Sequence, residues 1–173
     1  VKAVTGIDVD RDSPGEVKSR AAREFCRLWN FDFQWCTSVG RDVFGECSTS
    51  MGHAVYADGG TDFSDNISSP FEEPEDVLAF DPDEALGQRD RAQIRKTFEE
   101  SYANQCKAWP ECVNMTGIYI SLVSGLIDLF GWDLLLLAMG EDPEGFGETT
   151  KRYSRWIQQY FDALADADVP VVM

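Results

Sequence analysis

The sequence predicts an α/β protein in which helices alternate with short apolar strands. Apolar side chains recur every three to four residues in several long segments, and shorter apolar or alternating segments separate them. The chain also closes with a helical segment, a polar turn and the apolar run 169–173, which is typical of a buried parallel strand. Because 173 residues are fewer than the about 250 of a complete eight-fold barrel, we expect one part of a larger barrel. A compact α+β domain is the alternative.

Local signals define the elements in chain order. Ser13 predicts the N-cap of a first helix, with Pro14 at its first position and Glu16 as the capping-box partner. Apolar residues then follow helical spacing as far as Asn30. Residues 31–37 alternate aromatic and polar side chains and therefore predict a strand.

The middle of the chain is rich in Gly, Asp, Ser and Thr between residues 40 and 74, which predicts a β-rich excursion with long loops. Short strands are expected inside it at Val43–Glu46 and Ala54–Ala57. The predicted elements that follow are a short helix over 74–78, a long helix over 90–105 and a strand over 112–115.

The most apolar block, residues 117–140, predicts two mostly buried helices divided near Gly131. Four Ser and Asp residues interrupt this block, which disfavours a membrane span because a spanning helix needs about 20 mostly uncharged residues. Asp142 and Pro143 then supply the cap and first position of a final helix that reaches about Ala165.

Composition restricts the partners and the compartment. The formal net charge is −16, from 31 acidic and 15 basic side chains, and such a surface repels nucleic acid and anionic membranes. The five cysteines are odd in number and form no C-x-x-C pair, and no segment has the layout of a signal peptide. We therefore expect reduced thiols in a cytoplasmic protein that binds neither nucleic acid nor membranes.

The sequence contains neither the dinucleotide-binding motif G-x-G-x-x-G nor the Walker phosphate loop. It also lacks the zinc-protease motif H-E-x-x-H and the serine-hydrolase motif G-x-S-x-G. Cys36, Cys47 and His53 are the plausible zinc ligands, but zinc ligands usually come in close pairs and these three are irregularly spaced. The sequence therefore predicts no metal or cofactor site within this chain.

Four segments, taken in order, resemble the uroporphyrinogen decarboxylase superfamily. They are LWNFDFQW, MGHAVYADGGTDF, EPEDVLAFDP and TGIYISLVSGLIDLFGWDLLLLAMGEDPE, and a long helix leading into a strand follows them. The resemblance extends from about Pro14 to Met173. It implies that residues 1–173 form a single partial domain, the N-terminal half of a (β/α)8 TIM-type barrel, so that the chain is a fragment of a longer enzyme.

The resemblance implies one of two activities. One is cofactor-free decarboxylation of the acetate groups of uroporphyrinogen in porphyrin metabolism, a lyase reaction. The other is methyl transfer involving a corrinoid protein or a thiol, by a methyltransferase whose zinc ligands lie in the half of the family's barrel that this chain does not contain. The family often dimerises, so a homodimer is also implied, with Trp132 as a contact residue.

Two departures weigh against the decarboxylase itself. The family has an arginine-rich loop near its N-terminus, whereas residues 1–9 of this chain contain only one basic residue, Lys2. The family's catalytic aspartate has no clear match here other than Asp42, in the stretch TSVGRD. These departures favour a family member with another substrate, such as one in the methyl-transfer branch.

Candidate site residues follow the predicted strands, where active-site loops of α/β proteins emerge. We predict Asp42 and Tyr119 as catalytic groups, and Arg41, His53, Asp62 and Thr116 as contacts of a small-molecule substrate. The alternative is a small acidic α/β protein that binds a ligand or partner without catalysis, with dimerisation covering its apolar edge.

Overall fold

The computed structural model describes residues 1–50, 68–170 and 172. Helix accounts for 62% and strand for 5% of the structure. The elements in chain order are α1 (Lys2–Thr5), α2 (Gly15–Leu28), β1 (Phe33–Gln34), a 3₁₀ helix (Arg41–Cys47), α3 (Pro74–Ala79), α4 (Pro82–Ala85), α5 (Arg91–Ala108), β2 (Val113–Asn114), α6 (Leu122–Glu141) and α7 (Pro143–Ala165).

The predicted α/β fold, part of a (β/α)8 TIM-type barrel, is wrong because the protein is predominantly helical. Among the described residues, extended strands are limited to one parallel pair, in which Phe33 lies opposite Val113 and Gln34 opposite Asn114. Within the same described ranges, isolated parallel bridges add Val39 with Ile118 and Thr116 with Val172. The predicted strands over 31–37 and 112–115 therefore contribute two residues each to a ladder, and most of the described residues lie in helices.

Two local predictions also need correction. The segment Val43–Glu46, predicted as a strand, lies inside the 3₁₀ helix. Pro14 rather than Ser13 is the N-cap of α2, and the Ser13 hydroxyl instead donates to the Asp10 carboxylate at 2.7 Å. The strand predicted at Ala54–Ala57 lies outside the described residues.

The apolar block forms α6, which is divided as the sequence predicts. Gly131 has φ 76° and ψ 167°, a combination that is open almost only to glycine. The helix therefore changes direction at this residue, and buried side chains lie on both sides of it, Leu129 and Phe130 before and Leu135 and Ala138 after.

The core lies between α6, α7, α3 and α5. Along α7 the buried side chains recur at helical spacing and are Tyr153, Trp156, Ile157, Tyr160, Ala163 and Leu164. Phe98 of α5 and Val77 of α3 pack into the same cluster with no exposed surface. Full burial of each such side chain contributes about 1.5–3 kcal/mol.

Helix α6 is the one helix among the described residues that is long and apolar enough to cross a membrane by length and composition. Half of its most apolar window is buried inside the protein, and the core helix of a soluble protein meets the same criterion.

Candidate functional site

The carboxyl ends of β1 and β2 lie side by side, and the two segments that follow these strands stay hydrogen-bonded to each other. The Ser38 amide donates to the Gly117 carbonyl at 3.0 Å, and the Tyr119 amide donates to the Val39 carbonyl at 2.9 Å. The structure therefore brings the chain around Arg41 next to the chain around Tyr119. Ligand sites of parallel sheets are usually built at this end of the strands.

Thr116 lies on the inner side of this junction and is fully buried. Its hydroxyl is 2.6 Å from the Ser38 hydroxyl, which donates to the Ser101 hydroxyl on α5 at 2.9 Å. Because the Ser38 hydroxyl donates its one proton to Ser101, the Thr116 hydroxyl is the donor in its bond to Ser38. These three hydroxyls connect the strand ends to α5, so the Thr116 side chain points away from the uncovered side of the strands.

The other side of the strands carries exposed apolar side chains. We call this surface the open strand face, and it consists of Phe33, Trp35, Val113 and Tyr119. Phe33 is 60% and Trp35 57% exposed, whereas Asn114, on the opposite side, is 4% exposed. Parallel strands usually have both faces covered, so this uncovered face with exposed aromatic rings departs from the usual arrangement.

Tyr119 supplies the polar group of the open strand face. It is 36% exposed, and its carbonyl accepts a hydrogen bond from the Ser124 hydroxyl at 2.5 Å. This bond fixes the backbone at the start of α6.

Arg41 and Asp42 are adjacent in sequence but have different surroundings. The Arg41 guanidinium donates to the Thr49 carbonyl and so closes the loop that contains the 3₁₀ helix. Asp42 lines a separate open cleft of about 530 Å³, together with Arg89 and Tyr160. The structure therefore does not place the Asp42 carboxylate on the open strand face.

The cleft around Asp42 combines a carboxylate, a guanidinium and a phenol. Burial raises the pKa of Tyr160, the positive charge and hydrogen bond of Arg89 oppose this rise, and the Asp42 charge adds to it. Arg89 also donates to the Val43 carbonyl at 3.2 Å. Tyr160 and Arg89 are not among the site residues that the sequence predicts, because only tertiary packing brings α7 and the turn between α4 and α5 next to Asp42.

Asp128 and Tyr153 are a second pair that the sequence does not predict as site residues. Asp128 is 2% exposed, and its main-chain carbonyl accepts from the Thr49 amide at 2.9 Å. Burial, and then the Asp128 charge, raise the pKa of Tyr153. The signal that could have found the pair is an acidic residue in the middle of the most apolar block of the chain.

The two remaining predicted contacts, His53 and Asp62, lie outside the described residues. Across the described ranges no group of three or more His, Cys, Asp or Glu side chains could hold a metal ion.

Comparison with protein-family models, curated proteins and solved structures finds no match for this chain. The helical fold overturns the barrel architecture that the resemblance implied, and the lyase and methyltransferase classes stay predictions.

Proposed function

We propose that this chain supplies the ligand-binding surface of a small-molecule enzyme of the uroporphyrinogen decarboxylase superfamily, with a flat tetrapyrrole-like ring lying on the open strand face. The observation that carries the proposal is the exposure of Phe33, Trp35 and Val113 on parallel strands whose other face is covered by helices. The sequence resemblance supplies the ligand class, a porphyrinogen or a corrinoid.

The open strand face complements such a ring in shape and polarity. A tetrapyrrole or corrin ring is broad, flat and largely apolar, so it removes several large side chains from water at once. The open strand face has no charged side chain among its members, which suits the ring rather than the charged groups at its edge. Tyr119 is the one member with a hydroxyl that can donate to a ring substituent or to a developing negative charge.

The binding test uses quenching of tryptophan fluorescence by uroporphyrin and, separately, by hydroxocobalamin. We expect saturable quenching, and we expect Trp35→Leu to weaken binding by about tenfold, which corresponds to 1.4 kcal/mol. Trp29→Leu is the matched control, since Trp29 is 59% exposed but lies at the end of α2, stacked on Phe25.

Failure of both ring compounds to bind, or equal weakening by the two Trp variants, would contradict the proposal. The branch is decided by which ligand Trp35→Leu affects. A porphyrin-specific loss favours decarboxylation, with Tyr119 as the hydrogen-bond donor, and a corrinoid-specific loss favours methyl transfer.

A second candidate is a non-catalytic interaction protein that associates with a second copy of itself. The observation that favours it is a row of exposed apolar side chains on the C-terminal half of α6, namely Leu136, Leu137 and Met139. This surface is distinct from the open strand face, so a dimer is compatible with ligand binding.

A further inference from the structure

A smaller cleft lies between the C-terminal half of α2 and the turn that joins α5 to β2. Its volume is about 230 Å³, and Arg23, Arg27, Asn30, Trp109 and Glu111 are among the residues that line it. Asn30 precedes β1 and Trp109 precedes β2 in the chain. The cleft is therefore at the amino ends of the strands, opposite the end where Tyr119 lies, and is separate from the site of the proposed function.

Two arginines and one carboxylate, that of Glu111, line the cleft in a strongly acidic protein. Arg23 and Arg27 are four residues apart on α2 and thus share one side of the helix. Arg27 is engaged with the Glu24 carboxylate through bonds of 2.6 and 3.1 Å. Among the described residues Arg23 has no such carboxylate partner within ion-pair distance, so its guanidinium is available to a ligand.

The backbone around the cleft is held by local hydrogen bonds. The Trp109 amide donates to the Gln105 carbonyl at 2.8 Å, and the Trp109 carbonyl accepts from the Asn114 side-chain amide at 2.9 Å. Asn30 has a left-handed backbone with φ 51°, and its amide donates to the Arg27 carbonyl at 3.2 Å. An indole, an exposed amide and a guanidinium are thus presented to the cleft from fixed backbone positions.

We infer that this cleft binds a small aromatic phosphate, with its ring against Trp109 and its phosphate on the guanidinium of Arg23. Guanidinium groups match phosphate geometry through paired N–H donors, and an indole face is a stacking surface for a flat ring. Glu111 and the net charge of −16 oppose a free anion. The ring contact is therefore required for binding, and a bare phosphate is excluded.

The test compares AMP, adenosine and inorganic phosphate by calorimetric titration of the whole chain at low ionic strength. We expect AMP to bind at least about tenfold more tightly than either of its parts. Arg23→Gln should weaken AMP binding by about tenfold and leave adenosine unchanged. Arg95→Gln removes the same charge from α5, where Arg95 is 50% exposed and 3.7 Å from Glu99, so it is the matched control.

Three results would overturn the inference. The first is that AMP does not bind measurably, and the second is that inorganic phosphate binds as tightly as AMP. The third is that Arg23→Gln and Arg95→Gln weaken AMP binding equally, which would indicate a response to net charge alone. Trp109→Leu adds a second readout, because it should weaken adenosine and AMP together. Since Arg23 is exposed, Arg23→Gln keeps the test informative if Trp109→Leu does not fold.

Discussion

Tyr153 connects α7 to the chain that leads into α6. Its hydroxyl donates to the Ile120 carbonyl at 2.8 Å, and its ring packs 6.2 Å from Phe44 and 6.0 Å from Trp156, measured between ring centroids. The side chain is completely buried. Burial, followed by the charge of Asp128, raises the pKa of Tyr153 above its usual value, because a phenolate cannot be solvated there.

Removal of this hydroxyl should destabilise the protein. Tyr153→Phe leaves the buried Ile120 carbonyl without its donor, and we expect the free energy of unfolding to fall by about 1–3 kcal/mol in urea titrations at neutral pH.

The raised pKa of Tyr153 also makes stability depend on alkaline pH, because the native state retains a proton that the unfolded state loses above about pH 10. Stability should therefore fall as pH rises beyond that value, and fall less steeply in Tyr153→Phe. Identical alkaline slopes for the two proteins would contradict this account.

Thr116 and Tyr119 show which features of single residues can be predicted from the sequence. Both are predicted as site residues because they follow the strand over 112–115, and the structure does place both at the strand ends. Their odd separation puts them on opposite sides of extended chain, so Thr116 is buried toward α5 and Tyr119 is exposed. This distinction was available from the sequence. The grouping of Asp42 with Arg89 and Tyr160 was not, because it depends on tertiary packing.

At the scale of elements, α6 and α7 approach each other closely where Gly125 faces Tyr153. A Cβ atom at Gly125 would lie 2.6 Å from the Tyr153 ring carbon that bears the hydroxyl and 2.9 Å from the Ile120 carbonyl oxygen. Both distances are shorter than van der Waals contact. The glycine therefore permits both the helix contact and the Tyr153 hydrogen bond.

Gly125→Ala should destabilise the protein by about 1–3 kcal/mol through overpacking. Gly147→Ala is the control, because Gly147 lies inside α7 and a Cβ atom there would meet nothing within 4 Å, so alanine should stabilise the helix by roughly 0.5–1 kcal/mol. Urea denaturation of both variants checks the prediction. A stabilising effect of Gly125→Ala would mean that the two helices can separate at no cost.

The sequence predicts helices more accurately than strands, for a physical reason. It predicts the final helix from Asp142, Pro143 and the apolar spacing that follows, and the structure has this helix at Pro143–Ala165, with the Asp142 carboxylate accepting from the Gly145 amide. Those signals are local. The run 31–37 has strand-like alternation, but a strand also requires a neighbouring chain, and the ladder there ends after Phe33–Gln34. Alternation therefore located β1 without giving its length or the sheet around it.

At the scale of the whole molecule, acidic charge and exposed apolar surface occupy different places. The formal net charge is −16, yet between residues 129 and 140 the only charged side chain is Asp133. Leu136 and Leu137 are 54% and 53% exposed within this stretch. A second copy that contacts the first along α6 would cover these leucines and keep the more acidic surfaces apart. Salt would strengthen the contact, because it screens the repulsion between the two negatively charged copies.

We therefore expect a homodimer of twice 19.4 kDa in light scattering after size exclusion, with a dimer fraction that rises with salt. Leu137→Lys should give a monomer, because the dimer would bury an unpaired ammonium group. Val4→Lys is the control: Val4 is 39% exposed on α1, and the substitution makes the same change in net charge. Since both substitutions reduce the net negative charge, a purely electrostatic response would strengthen association in both. A wild-type monomer at every salt concentration, or a Leu137→Lys dimer, would rule out α6 as the contact surface.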